Sequence, residues 1–260
     1  MSDIERVAQV LRDAEAARIA VGPVSDLVEG GLTLDMAHDI CESNIARREA
    51  AGEHIVGFKV GFTNLAVREK MGLPDSTYGY LLESMVLPSG GSFDLGEVIA
   101  PKIESEICVR LGRDLNGPGV AAEDVLAAAD AVRASFEICD ARIIDWKCPY
   151  PDFLADNGFS SRIVLGESDW RPVGEVDLLG ESVVLAKGGE AFAEGRGEMA
   201  MGSPAKAVAW LANKLADRGK GLKAGQLVMT GTLTPITPIE RGATYVATFS
   251  TLGRVEKTFI

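Results

Sequence analysis

The stretch KIESEICVRL, residues 102–111, alternates apolar and polar side chains in the way that predicts a β-strand. Successive side chains of a strand point to opposite faces of its sheet, so Glu104 and Glu106 share one face while Ile103 and Ile107 share the other. Two neighbouring carboxylates repel each other unless solvent covers their face or a cation lies between them. The stretch therefore predicts a sheet with one apolar face and one face that carries an acidic pair.

A third acid lies in ASFEICD, residues 134–140, which also has the composition of an interior strand. A buried carboxylate without a partner costs several kcal/mol or stays protonated, so Glu137 needs a partner. The basic candidates for a simple ion pair are Arg133, Arg142 and Lys102. The alternative is that Glu137 joins the acidic pair of the first strand around a divalent cation.

A lysine between two glycines lies in IVGFKVGFT, residues 55–63, where Gly57, Lys59 and Gly61 share one strand face. The simpler interpretation is a solvated lysine beside turn glycines. The alternative is a lysine that faces a cleft, where partial burial lowers its pKa toward the range of a proton donor or substrate anchor.

The residue types around these acids indicate which cation would fit. Both histidines, His38 and His54, precede the acidic strands. Zinc sites prefer His and Cys ligands, whereas carboxylates completed by water favour Mg²⁺ or Mn²⁺. The four cysteines show no CxxC spacing and are expected to be reduced, mostly buried thiols.

Composition limits the classes of partner. The chain has 260 residues and a formal net charge of -12, which argues against a nucleic-acid or anionic-membrane surface. Small-molecule partners are therefore expected. The amphipathic first segment lacks the apolar core of a signal peptide, so a cytoplasmic protein is expected.

Two regions differ in character. Residues 1–52 predict an N-terminal helical cap, including a helix over 34–50 that Thr33 introduces and Gly52 closes. Residues 53–260 predict a mixed β catalytic domain with two helices, one over AAEDVLAAADAVR (121–133) and one that begins at Ser203. The predicted class is α+β, a mixed β-sandwich or barrel under a helical cap.

The segment CPYPDFLADNGFSSRIVLG, residues 148–166, is rich in turn residues and predicts a long loop that enters a strand. Such loops often line ligand sites, and an arginine there could bind a substrate carboxylate. Phosphate-loop, dinucleotide, zinc-protease and serine-hydrolase motifs are all absent from the sequence.

In order along the chain, HIVGFKVGFTN, PDSTYGYL, PKIESEICVRLGRDL, FEICDARIIDW, LADNGFSS, AVAWLANKLADRG and LKAGQLVMTGTL resemble the fumarylacetoacetate hydrolase superfamily. The similarity is greatest to its branch of 2-hydroxypenta-2,4-dienoate hydratases and 4-oxalocrotonate decarboxylases. The resemblance implies the mixed β-sandwich or roll of that superfamily, usually in homo-oligomers. Association with a pathway enzyme is an open alternative.

The resemblance also implies roles for residues. It assigns Glu104, Glu106 and Glu137 to a Mg²⁺ or Mn²⁺ site, and it assigns Lys59 to the same cavity as a catalytic residue. The candidate substrate-binding residues are Asp156, Phe159, Ser160, Ser161, Arg162 and Thr230. Relatives usually read ADNAS where this chain has a large Phe159, and many read GHP where it has Gly202-Ser203-Pro204. The first departure is expected to reshape the substrate pocket.

The implied reaction is hydration of a 2-hydroxy-2,4-dienoate to a 4-hydroxy-2-oxo acid in aromatic meta-cleavage catabolism. A cation that stabilises negative charge on the C2 oxygen would serve decarboxylation of 4-oxalocrotonate equally well, so that activity is the alternative. A C–C hydrolase is less expected, because the superfamily's hydrolases typically use a His–Glu dyad and this chain has only two histidines. The competing class is a non-catalytic binding domain whose acids face solvent.

Overall fold

A computed structural model describes all 260 residues as six α-helices and fourteen β-strands in two mixed sheets. The helices are α1 (Asp3–Ala17), α2 (Leu34–Ala50), α3 (Leu65–Lys70), α4 (Ala122–Ala128), α5 (Tyr150–Ala155) and α6 (Pro204–Ala216). The strands are β1 (Ile55–Gly61), β2 (Thr77–Leu82), β3 (Val86–Pro88), β4 (Ser92–Phe93), β5 (Lys102–Leu111), β6 (Ala129–Cys139), β7 (Ser160–Leu165), β8 (Arg171–Pro172), β9 (Ser182–Lys187), β10 (Glu190–Arg196), β11 (Leu227–Met229), β12 (Thr237–Pro238), β13 (Thr244–Phe249) and β14 (Gly253–Phe259).

The larger sheet has nine strands and carries the acidic segments at its centre. Its main order is β2-β1-β11-β5-β6-β7-β3, with β12 added to β5 and β8 added to β6. The pairs β1–β11 and β3–β7 are parallel, and β5 pairs antiparallel with β6 along ten residue partners. This long β5–β6 ladder holds the two acidic strands in a fixed register.

The smaller sheet has five strands in the order β10-β9-β13-β14-β4. Its apolar face packs with the larger sheet and α6 into the main hydrophobic core, which includes Ile103, Ile107, Phe136, Tyr245 and Phe259. The alternation of β5 therefore buries its isoleucines in this core and turns its glutamates to the opposite face. The predicted α+β class with a mixed sheet architecture is confirmed.

The N-terminal helices α1 and α2 pack against each other and also against α5 and its neighbouring loops, which gives a second apolar cluster. Val7 and Leu11 of α1 and Ile40 of α2 pack with Phe153 and Phe159. The side chain of Thr33 accepts a hydrogen bond from the Met36 backbone amide at 3.2 Å, which is the predicted start of α2. No helix of this protein combines the length and the apolar character that crossing a bilayer requires.

Two local predictions are wrong. The predicted helix over 121–133 ends at Ala128, and Ala129 to Arg133 instead begin β6 because they pair with β5. Pairing with a neighbouring strand overrides the helical preference of an alanine-rich segment. The segment 148–166 enters a strand, β7, as predicted, but its loop contains the short helix α5. Ser203 occupies the cap position of α6, as predicted, although its side chain makes no capping hydrogen bond.

Candidate active site

The register of β5 and β6 brings the acidic residues of the two strands together. Glu104 is the direct cross-strand partner of Glu137, and Glu106 is the partner of Ser135. Directly opposed residues of an antiparallel pair have their Cβ atoms about 4.5–5.5 Å apart, so the two carboxylates share one space. Three acidic side chains therefore converge on the face that points away from the main core.

Two of the three acids are buried, Glu104 is half-buried, and some of their carboxylate oxygens lack hydrogen-bond partners. Glu106 is 0% exposed and Glu137 is 1% exposed. Oε2 of Glu137 and Oε1 of Glu106 have no hydrogen-bond partner, whereas Oε1 of Glu137 lies 3.2 Å from the Lys59 ammonium. Buried polar atoms are nearly always paired, so partnerless carboxylate oxygens are the donor set that an oxygen-seeking divalent cation fits.

Burial and mutual repulsion raise the pKa values of these acids. Desolvation, followed by the charge of Glu137, raises the pKa of Glu104 to about 7. The same two causes, with Glu104 added, raise the pKa of Glu106 well above its ordinary value. A backbone amide offsets part of this cost, since Gly231 N donates to Glu106 Oε2 at 2.8 Å. Without a cation, the cluster disfavours having all its carboxylates charged.

Lys59 lies beside the acids on the same sheet face. Its strand β1 runs parallel to β11, and β11 pairs with β5, so three neighbouring strands bring Lys59 to the cluster. The side chain is buried, and Nζ lies 3.2 Å from Glu137 Oε1. None of Arg133, Arg142 and Lys102, the partners considered from sequence, pairs with Glu137.

The expectation that burial lowers the pKa of Lys59 is wrong. Burial does oppose its charge, but Cys139, Glu137 and Glu104 around the ammonium raise the pKa above its ordinary value. Lys59 is therefore a charged ammonium in this arrangement, suited to donating a hydrogen bond or binding an anion.

Two glycines allow a loop to cover Lys59. A Cβ on Gly79, the strand partner of Lys59, would lie 2.2 Å from the Asn157 carbonyl oxygen. Gly158 has a φ of +59° and approaches Lys59 Cε so closely that a Cβ there would lie 3.0 Å away. The absence of side chains at Gly79 and Gly158 thus lets the loop after α5 lie against the lysine.

A cavity of about 660 Å³ reaches this cluster at Glu104, whereas Glu106 and Glu137 do not line it. The polar side chains at its acidic end include those of Lys59, Lys102, Glu104 and Cys139. Its apolar wall includes Phe62, Val67, Met71, Phe153, Phe159 and Met199. The volume lies within the range of small-molecule sites, and an apolar wall combined with polar groups at one end is typical of them.

Only one of the predicted substrate-binding residues lines this cavity. Phe159 does so, and its ring packs against those of Trp146 and Phe153 with centroids 5.1 and 4.6 Å away. Ser160 and Ser161 are buried in β7 outside the cavity lining. Thr230 does not line the cavity either, and its hydroxyl donates a hydrogen bond to the Ile107 carbonyl at 2.8 Å.

The two predicted charged residues of the loop also point elsewhere. Arg162 Nη2 lies 3.4 Å from Glu97 on the surface, and its guanidinium faces the ring of Phe93. Asp156 accepts from the backbone amide of Arg142 at 2.9 Å and from the Arg142 guanidinium. Neither residue lines the cavity, so no substrate contact is assigned to them.

Because Asp156 holds a buried arginine, Asp156→Asn is expected to lower the free energy of unfolding by about 2–4 kcal/mol. The cause is the loss of charge pairing with Arg142, whose side chain is 7% exposed. Urea denaturation measures this change. A stable variant with a raised KM for substrate would contradict the structural role, since a residue outside the cavity is not expected to change substrate binding.

Sequence reasoning missed several residues that line the cavity or support it. Lys102 lies two residues before Glu104, and Cys139 lies two residues after Glu137, so each shares the strand face of its neighbouring acid. This spacing in the sequence could have predicted that both residues line the cavity. Thr234 lines the cavity with a hydroxyl that has no hydrogen-bond partner. Gly231 supports Glu106 through its backbone, which no side-chain pattern could indicate.

Histidine is absent from the cavity lining. His38 stacks on Tyr78 with ring centroids 5.2 Å apart, and His54 is exposed after α2. No His–Glu dyad faces the acidic cluster, so the geometry does not favour the hydrolytic chemistry that such a dyad would support.

One described protein family and several known proteins are similar to this chain. The model of the fumarylacetoacetate (FAA) hydrolase C-terminal family matches residues 71–260. A 2-keto-4-pentenoate hydratase of Burkholderia vietnamiensis is 36% identical over 264 residues, covering 100% of this chain and 99% of that protein. A 4-oxalocrotonate decarboxylase of Pseudomonas sp. strain CF600 is 36% identical over 88% of this chain and 86% of its own length.

A solved structure agrees with both sequence matches. The 4-oxalocrotonate decarboxylase from Pseudomonas putida G7, complexed with magnesium and adipate, superposes with a TM-score of 0.93 at 36% identity, covering 98% of each chain. The ordered motifs, the mixed sheets with their central acidic strands, and these matches lead to one conclusion: the chain belongs to the fumarylacetoacetate hydrolase family.

Proposed function

We propose that this protein hydrates a short 2-hydroxy-2,4-dienoate to a 4-hydroxy-2-oxo acid, with Mg²⁺ or Mn²⁺ held by Glu104, Glu106 and Glu137. The observation that carries the proposal is the cluster of three acids with two buried, unpartnered carboxylate oxygens, which lies beside Lys59 and reaches the cavity through Glu104. The relatives named as hydratases support the reaction type.

When bound, the cation would stabilise negative charge on the C2 oxygen of the substrate. Lys59 supplies a positive charge at the same end of the cavity, where its Nζ can donate a hydrogen bond to the substrate carboxylate or transfer a proton. Its Nζ is buried 3.2 Å from Glu137 Oε1, which places it to anchor a substrate carboxylate or to donate a proton beside the metal site.

The conversion is a sequence of proton movements and one addition. The dienol loses its hydroxyl proton and gains a proton at the terminal carbon, which gives a conjugated enone. Water then adds at C4 while C3 gains a proton. A positioned acid such as Lys59 contributes to steps of this kind typically 10²–10⁴-fold.

The apolar wall favours a small hydrocarbon tail on the substrate. Phe159, Phe153 and Met199 present no charge that could pair with a second carboxylate. Burying an unpaired carboxylate against such side chains is costly, whereas a vinyl or methyl-vinyl group is accepted. Arg162, the cation considered for a second carboxylate, does not line the cavity.

Decarboxylation of 4-oxalocrotonate is the second candidate, and Lys102 favours it. The Lys102 ammonium lies 4.0 Å from the centroid of the Trp146 ring, and both residues line the cavity. Lys102 is therefore a second cation in the cavity, in addition to Lys59, that could bind a further substrate carboxylate. The named decarboxylase relatives are consistent with this candidate.

One experiment separates the two reactions. Each substrate is supplied with Mg²⁺, and loss of dienoate ultraviolet absorbance, formation of the 4-hydroxy-2-oxo acid and CO₂ release are measured together. Hydration of the pentadienoate without CO₂ release is expected. Rapid CO₂ release from oxalocrotonate with no hydration of the pentadienoate would replace the first candidate with the second.

Divalent cations are expected to stabilise the folded protein, whichever reaction it catalyses. At a free Mn²⁺ or Mg²⁺ concentration of about 100 times the dissociation constant, linkage predicts a gain of about 2.7 kcal/mol. For a chain of this size, that gain corresponds to a rise in Tm of about 5–10 °C. Differential scanning calorimetry with and without a chelator measures it. A Tm that ignores both cations, with none retained after desalting, would support the non-catalytic binding domain instead.

We also propose that residues 1–52 form a helical cap on a catalytic domain over 53–260. We propose further that the protein is cytoplasmic, forms a homo-oligomer and associates with a pathway enzyme. Size-exclusion chromatography with light scattering tests the assembly directly.

A further inference from the structure

Cys139 is the last residue of β6 and lies two residues after Glu137 on the same strand face. The thiol is 3% exposed, and Sγ lies 3.5 Å from Glu104 Oε2 and 4.0 Å from Lys59 Nζ. Cys139 also lines the cavity, so an ion that enters from solvent can reach it. The thiol thus lies among the groups to which a metal role is proposed, in contrast to Cys41 and Cys108, which are buried in apolar clusters.

Ligand atoms of Glu104, Glu137 and Cys139 lie within 4.8 Å of one another, close enough for one ion to contact all three. A second observation points to a ligand at the same place. Oε2 of Glu137 is buried without a hydrogen-bond partner, and Oε1 lies 3.2 Å from the Lys59 ammonium; both belong to this group. The structure therefore presents two oxygen donors and one sulfur donor around a common point.

We propose that Cys139 is a sulfur ligand that gives this site a second mode of cation binding, selective for thiophilic divalent ions such as Zn²⁺ and Cd²⁺. Carboxylates bind hard and borderline cations, whereas thiolate selects softer ones. Mg²⁺ takes oxygen ligands and leaves the thiol protonated. In the second mode, the Cys139 S–H bond breaks, its proton passes to water, and sulfur binds the ion together with Glu104 and Glu137.

The inference rests on the acidic cluster proposed above as the metal site, but not on the identity of the reaction. It has a direct consequence for activity. Because both modes use Glu104 and Glu137, one bound thiophilic ion excludes Mg²⁺. Zn²⁺ and Cd²⁺ are therefore inhibitors that compete with Mg²⁺.

The test is a titration of the metal-free full chain with Cd²⁺, followed by its ultraviolet sulfur-to-cadmium charge-transfer absorption. Wild type is expected to develop this band at one Cd²⁺ per chain. Cys139→Ser, which keeps the size of the side chain, is expected to lose the band and to bind Cd²⁺ at least about tenfold more weakly. Its Mg²⁺ affinity is expected to stay within about twofold of wild type, because Mg²⁺ does not use sulfur.

Cys148→Ser is the matched control, since Cys148 is the most exposed of the four free thiols and does not line the cavity. This variant should keep the band. A band that persists in Cys139→Ser, or one that disappears in Cys148→Ser, assigns the sulfur ligand elsewhere and overturns the inference, as does Cd²⁺ binding to wild type without any band. If Cys139→Ser does not fold, Cys139→Ala provides the same comparison.

The hydration assay separates this inference from the proposed function. A protein that hydrates no dienoate but shows the Cys139-dependent band retains the inference and loses the reaction. A protein that hydrates the substrate with Mg²⁺ and shows no band retains the reaction and loses the inference.

Discussion

Glu137→Gln is expected to remove tight divalent-cation binding and to lower metal-dependent turnover by roughly 10²–10³-fold, the loss typical of removing one group that stabilises developing charge. The amide keeps the shape of the side chain but removes the negative charge opposite Glu104. It also replaces one carboxylate oxygen by an NH₂ group, which has no lone pair to offer a cation. Isothermal titration with Mn²⁺ and the hydration assay measure the two losses.

The fold of this variant is expected to persist. Glu137 is buried beside two other acids, so its neutralisation relieves repulsion in the metal-free protein, while Glu104 remains as a counter-charge for Lys59. Glu123→Gln makes the same chemical change at an exposed site on α4 and should leave cation binding unchanged. If Glu137→Gln bound Mn²⁺ as tightly as wild type, the assignment of Glu137 as a ligand would be wrong.

Lys59→Met is expected to lower kcat by roughly 100-fold or more, the scale of a positioned acid–base group. Methionine fills a similar volume beneath Gly158 but can neither donate a proton nor bind an anion. Cation affinity is expected to be retained or increased, because the ammonium 3.2 Å from Glu137 no longer competes for its carboxylate. Steady-state kinetics at saturating metal, together with Mn²⁺ titration, measure both quantities.

Lys223→Met is the matched control, because Lys223 pairs with Asp114 on the surface at 2.9 Å and does not line the substrate cavity. Its kinetics should equal those of wild type. Full activity in Lys59→Met would return Lys59 to a purely structural role, that of a buried counter-ion for the acidic cluster.

Strand faces were predictable from the sequence because alternation is a local property of the backbone. The pattern in residues 102–111 correctly separated Glu104 and Glu106 from the isoleucines that enter the main core. The cap of α2 at Thr33 was predictable for the same reason, since a capping hydrogen bond spans only three residues.

The ordered motifs along the chain also identified the family, which the comparisons confirm. Their order is a property of the sequence itself and needs no knowledge of contacts.

Contacts between distant segments depended on the tertiary structure. The opposition of Glu104 and Glu137 requires one register of β5 against β6, and a shift by one residue would separate them. Lys59 reaches the cluster only because β1 pairs in parallel with β11, which is distant in sequence. Neither pairing is encoded in a local pattern.

The loop residues illustrate the same limit. Asp156 and Arg162 have the side chains of a substrate-binding loop, yet one pairs with a buried arginine and the other lies over Phe93. Cys139 was expected from the sequence to be a buried thiol without a special role, yet its sulfur lies 3.5 Å from a carboxylate oxygen of Glu104. Residue type and periodicity determined which side chains share a strand face, whereas strand register and close packing of loops decided which of them meet, because those depend on interactions between segments far apart in the chain.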